Sequence, residues 1–167
     1  SDFDGHTVII EPGSGFGVGT HPTTQLCLRW MEQNIVSGDS FLDFGSGSGV
    51  LSIFAKKLNC IKVEGIEIDQ KAIDNAKHNI KLNKLNIPFH RSDQDIINDS
   101  FDNVVANILS ETLIDLSPKL RLLTKKRLAL SGILNNQVDR IIKKFSEWIE
   151  LRVHAKYDDW VILDGEL

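Results

Sequence analysis

Residues 41–49 read FLDFGSGSG. A short apolar run passes directly into a turn with three glycines, an apolar helical stretch follows over about 50–58, and VEGIEI (63–68) is a second buried-strand pattern. Two such strands joined through a helix pair in parallel, because a parallel pair needs a crossover that a tight turn cannot supply. The alternation continues. Residues 70–83 place Ile73, Ala76 and Ile80 on one helical face, with Lys71, Lys77 and Lys81 toward water. NIPFH (86–90) is a weak third strand, and FDNVVANI (101–108) is a stronger fourth around Val104, Val105 and Ala106. Leu113, Leu116, Leu120 and Leu123 recur at helical spacing, RLALSG (127–132) returns to strand composition, and 134–147 is helical through Val138, Ile141, Ile142 and Phe145. IELRVHA (149–155) and DWVILDG (159–165) have no helix between them and predict an antiparallel hairpin turning near Tyr157 and Asp158. Ahead of the core lie a short strand, TVII (7–10), a loop, GSGFGVGTHPTT (13–24), and a helix over about 22–36 with Pro22 at its first position. The expected fold is α/β: a mostly parallel sheet with helices on both faces and a C-terminal antiparallel hairpin.

At 167 residues this is one domain, with 1–38 as strand, loop and helix and 39–167 as the core sheet. The net charge of −4 argues against a surface dedicated to nucleic acid, so no direct nucleic-acid partner is expected. Lys119, Lys125, Lys126 and Arg127 read as a solvated helix end and turn. Cys27 and Cys60 form no metal or disulfide pattern and read as reduced thiols. No apolar run is long enough for a membrane span and no signal peptide is recognisable, so a cytoplasmic protein without a membrane partner is expected.

In an open parallel sheet, ligands bind beyond the carboxyl ends of the strands. The first core strand ends in Asp43, Phe44 and the turn Gly45-Ser46-Gly47-Ser48-Gly49, which is either a tight structural turn or a place where a ligand approaches the main chain. The second ends in Glu67, 22 positions past Gly45, followed by Ile68 and Asp69. A carboxylate there can accept hydrogen bonds from both hydroxyls of a ribose; Asp69 reads as the cap of the next helix. A dinucleotide fingerprint would run G-x-G-x-x-G, but position 50 is Val. The pattern better suits S-adenosylmethionine, which asks for close backbone approach and a nearby carboxylate, with Asp43 either at the methionine amino group or bonding the glycine turn. Asn107 ends the fourth strand. Its neutral amide can hold an attacking amine in line, or it terminates the strand by bonding backbone. Methyl transfer is an in-line displacement carried largely by positioning and desolvation. His6, His21, His78, His90 and His154 are scattered, and His21 reads as an organiser of the loop and helix start.

PGSGFGVGTHPTTQLCLRWME (12–32), FLDFGSGSGVLSIFAKKL (41–58) with GIEIDQKAIDNAKHNI (65–80), and FDNVVANIL (101–109) with LALSGIL (128–134) together resemble the catalytic domain of the ribosomal protein L11 methyltransferase family, within the class I S-adenosylmethionine-dependent methyltransferases. The resemblance runs from about Ile10 to the final strand. It implies a Rossmann-like sheet of seven strands, S-adenosylmethionine as cofactor with S-adenosylhomocysteine as product, and methylation of lysine or N-terminal amines on a ribosomal protein of the large subunit. Carried onto this chain, it implies that Thr24 lies near the methionine end, Gly45 and Gly47 in the glycine turn, Glu67 with Ile68 at the ribose, Asp93 near the adenine and Asn107 beside the reacting methyl. Phe16, Gly17, Gly19 and Thr20 belong to a loop that closes over the cofactor. The chain departs from the family pattern in having Ser46 for Cys, Glu67 for Asp, Val18 for Thr, and Thr-Lys-Lys at 124–126 for Pro-Gly-Gly. The family's N-terminal substrate domain has no counterpart in these residues. A methyltransferase acting on a small molecule or another protein, and a non-catalytic cofactor-binding or assembly module, are the alternatives.

Overall fold

A computed structural model of the chain describes residues 2–3, 6–7, 21–91 and 98–167. A two-residue antiparallel pair, β1 (Asp2–Phe3) and β2 (His6–Thr7), precedes the core. The rest of the expected TVII strand lies outside the described residues. Then come α1 (Pro22–Asn34), β3 (Ser40–Phe44), α2 (Val50–Lys57), β4 (Lys62–Ile66), α3 (Gln70–Leu82), β5 (Phe89–His90), β6 (Phe101–Asn107), α4 (Ser110–Leu123), β7 (Thr124–Leu134), a 3-10 turn (Asn135–Gln137), α5 (Val138–Phe145), β8 (Arg152–Tyr157) and β9 (Trp160–Glu166).

The helix starts follow from local chemistry. Pro22 occupies the first turn of α1, where its missing N–H costs nothing, and His21 caps the helix by accepting the Thr23 N–H at Nδ1. Asp69 caps α3 through the Lys71 N–H at 3.1 Å, as expected. Gly49, at φ +82°, opens α2, and a Cβ there would press on Ala76 of α3 at 3.2 Å. That glycine therefore sets how closely the second helix approaches the third.

Seven strands form one sheet in the order β5-β4-β3-β6-β7-β9-β8. The first five are mutually parallel; β9 runs antiparallel to both β7 and β8. The expected hairpin is thus present, with β9 inserted against the core and β8 on the edge. Alternation along each strand divides the core in two. Phe41, Val63, Val105, Ala129 and Ile162 face α1 and α2, whereas Leu42, Phe44, Val104, Ala106, Leu128 and Leu163 face α4 and α5. Asp43 shares the side-chain parity of Phe41, and Asn107 that of Val105, so both belong to the α1 face.

Several boundaries differ from the sequence reading, most of all around β7, α5 and β8. β7 begins at Thr124, not 127, because Thr124 closes α4 by donating Oγ1–H to the Leu120 carbonyl and turns at once into extended backbone. Lys125, Lys126 and Arg127 are therefore strand residues, not a turn: Lys126 pairs with Asp102 and Arg127 with buried Asp39. The helix expected over 134–147 is a 3-10 turn followed by α5, and β8 starts at Arg152 because Ile149 and Leu151 are used to bury apolar surface before the strand.

Candidate functional site

The chain order places β3 and β6 side by side, with β4 and β5 on one flank and β7 and β9 on the other. Successive connections leave β3 in opposite directions, which makes the carboxyl ends of β3 and β6 the switch point of the sheet. Asp43 is paired with Val105 and Phe44 with Ala106, so the glycine turn and Asn107 emerge together. The packing there is close: a Cβ on Gly45, whose φ is +82°, would lie 2.4 Å from Ile108 Cγ2. On the other side a Cβ on Gly132, at φ +83°, would lie 2.4 Å from the Ile108 carbonyl oxygen. The segment that carries Asn107 is held between two glycines.

Four buried side-chain oxygens at this point have no hydrogen-bond partner among the described residues: Thr24 Oγ1, Asp43 Oδ1, Ser46 Oγ and Asn107 Oδ1. Thr24 is brought there by α1, which Ser131 ties down by donating its Oγ–H to the Thr23 carbonyl at 3.3 Å, and Ser131 is the β7 partner of Asn107. Burying polar atoms without partners costs roughly 1–3 kcal/mol each, so a native fold does not gather four without a use for them. Two of the four are pure acceptors and two are hydroxyls that donate or accept. Asp43 with the two hydroxyls matches a group carrying both an ammonium and a carboxylate, as the methionine end of S-adenosylmethionine does, and Asn107 Oδ1 adds an acceptor at the end of β6.

The electrostatics point the same way. Asp43 is fully buried, and burial pushes its carboxyl up to about 7; the hydroxyl of Ser52, 2.7 Å from Oδ2, works against that rise, and the nearby charge of Glu67 adds to it. Burial likewise pushes the Cys27 thiol, on α1, up to about 12, which removes it as a nucleophile near neutral pH. His21 is a structural group: both the Thr23 N–H and the Thr23 hydroxyl meet its Nδ1, and its ring packs edge-on against Trp160 with centroids 5.6 Å apart. Because a backbone N–H can only donate, Nδ1 carries the lone pair and the proton of the neutral ring is on Nε2.

Glu67 leaves β4 with its carboxylate turned onto the main chain. Oε1 accepts the Gly47 N–H at 3.2 Å, while Oε2 accepts the N–H groups of Ile68 and Asp69 at 2.7 and 3.2 Å. Gly47 is thereby joined to the strand end that carries the acid, and Ile68 beside it is 58% exposed, an apolar surface at the crevice. Thr24, Asp43, Gly45, Gly47, Glu67, Ile68 and Asn107 are thus grouped along the ends of β3, β4 and β6. Phe16, Gly17, Gly19, Thr20 and Asp93 lie outside the described residues. Sequence reasoning passed over Ser52, Ser131 and Gly132, and met Ser46 only as a departure from a pattern. Small residues at strand ends and first helical turns carry little signal of their own. Their partners, Asp43 and Asn107, are what would have marked them.

A sequence profile described as ribosomal protein L11 methyltransferase (PrmA) matches residues 3–167. A ribosomal protein L11 methyltransferase of Methylobacillus flagellatus is 42% identical over 164 residues, covering 97% of this chain and 55% of the relative. One of Paraburkholderia xenovorans is 42% identical over 158 residues, covering 93% and 52%. The chain spans about half the length of the curated relatives it matches. Among solved structures, the ribosomal protein L11 methylase of Lactobacillus delbrueckii subsp. bulgaricus superposes with a TM-score of 0.79 at 30% identity, over 86% of this chain and 77% of that one. The architecture is the Rossmann-like fold of the class I methyltransferases.

Proposed function

The chain belongs to the ribosomal protein L11 methyltransferase family, and on that premise we propose that it is an S-adenosylmethionine-binding catalytic domain that methylates amino groups of a large-subunit ribosomal protein. The observation that carries the reading is the set of four buried, unpartnered oxygens at the switch point. When bound, S-adenosylmethionine supplies an electrophilic methyl group on a sulfonium, whose sulfur departs with the bonding pair as S-adenosylhomocysteine.

The chain's own residues bind and orient. Asp43 Oδ1 takes the methionine ammonium, and the hydroxyls of Thr24 and Ser46 are free to donate to the carboxylate. Glu67 takes the ribose hydroxyls, and since its oxygens already accept three backbone N–H groups, it gives up some of those contacts to do so. Asn107 Oδ1 accepts an N–H of the acceptor amine and holds its lone pair toward the methyl. As a neutral amide it takes no proton, so the amine arrives deprotonated. Phe16, Gly17, Gly19, Thr20 and Asp93 stay candidates for the cofactor on the family resemblance alone. A ribosomal-protein acceptor puts the enzyme's work in the cytoplasm.

Calorimetric titration with S-adenosylmethionine and S-adenosylhomocysteine tests the reading. Saturable binding of both, followed by transfer of labelled methyl into a ribosomal protein, is the expected result. The reading does not survive the absence of heat or displacement with either ligand.

A further inference from the structure

Past the carboxyl end of β7 the chain leaves the sheet through Asn135 and Asn136, and the turn joining β8 to β9 rises beside it, with the Asn135 N–H donating to the Asp159 carbonyl at 3.0 Å. Between them is a cavity of about 290 Å³ whose described lining is Leu134, Asn135, Asn136 and Asp159. We propose that this cavity seats the cationic segment of the protein acceptor that brings the target amine to Asn107, with the Asp159 carboxylate as its electrostatic anchor. The inference rests on the methyltransferase reading above.

Position is the first argument. Asp43, Ser46 and Glu67, suited to the methyl donor, stand at the ends of β3 and β4 on one side of Asn107, with Thr24 reaching in from α1; the cavity lies on the other side, over β7 and β9. Asn107 pairs with Ser131, and Leu134 at the cavity pairs with Trp160. Three residues separate these levels, at most about 10 Å along an extended strand, and less where β7 is bulged between Leu130 and Ile133. A lysine stem and one or two residues of extended chain cover that distance. The wall is continuous as well: Trp160 packs on His21, which caps the helix carrying Thr24.

Chemistry is the second. A primary amine of a protein reaches the enzyme as an ammonium, because a lysine titrates near 10.4 and an N-terminus near 7.7–8.0. The cavity offers a carboxylate and two carboxamides, and no lysine or arginine is among its described lining. Asp159 is exposed, so it attracts a cation without a burial penalty. Two residues past Asn107, Leu109 is 61% exposed although it occupies the cap position of α4, where it makes no side-chain cap bond. Helix capping does not explain a leucine there; an apolar surface for the methylenes of an incoming lysine does. Asp159 is too far from Asn107 to touch the reacting nitrogen, so its effect falls on acceptor binding and not on the methyl-transfer step.

The test uses the full-length protein, S-adenosylmethionine binding by calorimetry, and initial rates of labelled methyl transfer into purified ribosomal protein L11. Asp159→Asn is expected to raise KM for the protein acceptor about threefold, and Asp159→Lys about tenfold, as for a rim charge at an interface. In both, kcat and S-adenosylmethionine affinity stay within about twofold of the parent, and the loss shrinks at about 0.5 M salt. Asn136→Lys, on a separate segment of the lining, gives the same pattern and serves should the turn not tolerate substitution. An unchanged KM in both lysine variants overturns the inference, and so does a fall in kcat or cofactor affinity with KM unaltered. A parent protein that neither binds S-adenosylmethionine nor transfers methyl overturns the methyltransferase reading itself, before any variant is compared.

Discussion

Asp43 makes the affinity for S-adenosylmethionine depend on pH. Its carboxyl stands at about 7 instead of 3.8 because it is buried on the α1 face, with Glu67 adding negative charge, the Cys27 thiol neutral beside it, and the hydroxyl and backbone N–H of Ser52 only partly offsetting that rise. The difference corresponds to about 4 kcal/mol of cost for ionising this group in the native protein. An ammonium placed at Oδ1 reverses that cost, so the cofactor binds the ionised form and expels the proton. Lowering the pH from 7.5 to 5.5 should therefore weaken S-adenosylmethionine binding by about 25-fold. The α-amino group of the ligand, titrating near 7.7–8.0, stays mostly protonated across that range. Calorimetry at pH 6 in two buffers of different ionisation enthalpy should count close to one proton released per cofactor bound. Asp43→Asn should bind at least about tenfold more weakly at pH 7.5 and lose the pH dependence. For the cofactor-free protein the sign is the opposite. Between pH 4 and 7 the native state holds a proton that the unfolded chain has lost, so stability falls as pH rises through this window, and Asp43→Asn raises the melting midpoint at pH 8. Binding that is flat from pH 7.5 to 5.5 with no proton released would refute the assignment of Asp43 to the ammonium.

Asn107→Ala should lower methyl transfer by at least about 100-fold while S-adenosylmethionine affinity changes less than about threefold, because only the positioning of the amine is lost; unchanged turnover removes Asn107 from its role. Glu67→Asp should keep cofactor affinity within about threefold, since the charge remains, whereas Glu67→Ala should cost about tenfold or more in calorimetric Kd. Gly132→Ala, which forces a positive φ on a side chain and drives its Cβ into the Ile108 carbonyl, should cost on the order of 2–4 kcal/mol in denaturant unfolding; Gly38→Ala, at φ +93° with nothing within 4 Å, should cost only about 1. With a lysine acceptor, kcat/KM should climb about tenfold per pH unit from pH 7.5 to 9 because Asn107 cannot take the proton. A plateau beginning near pH 7 would instead show that a base takes the proton, and would refute this reading.

The parallel core was legible because its strands are short apolar runs separated by helices with a clear face, and FLDF, VEGIEI and VVANI needed only period and punctuation to be found. The ends were less so. Thr124-Lys125-Lys126 looks like a turn because two lysines suggest water, yet one carbonyl bond from Thr124 closes α4 and starts β7 in the same residue, and Lys126 and Arg127 each find a carboxylate at the sheet base. Asp43, Glu67 and Asn107 were visible as polar residues at the ends of apolar strands, where sheet geometry gives them meaning. Ser52 and Ser131 were not, because a serine in a first helical turn or at a strand end is common; their significance lies in partners 9 and 108 residues away, Asp43 and the Thr23 carbonyl. Which way the Glu67 carboxylate turns was equally hidden, since the longer arm that reaches a ribose also reaches three backbone amides of its own turn.

The strand order separates two problems that an amine methyltransferase must solve at once. The donor brings its charges ready-made, and buried Asp43 with the Thr24 and Ser46 hydroxyls meets them already in place. An acceptor amine changes charge before it reacts, from an ammonium that a carboxylate attracts to a neutral nucleophile that a carboxylate would hold back by keeping it protonated. An acid directly at the reacting nitrogen would therefore help arrival and hinder reaction. In this chain the neutral amide of Asn107 stands at the end of β6, and the exposed acid, Asp159, stands past the end of β7 on the acceptor side. Attraction then acts on the segment that carries the amine and reaction on the amine itself, at different depths. Moving the charge inward, by Asn107→Asp, should favour the ammonium at the reacting position and depress kcat most at low pH, where a neutral replacement such as Asn107→Ala gives a loss without that pH bias.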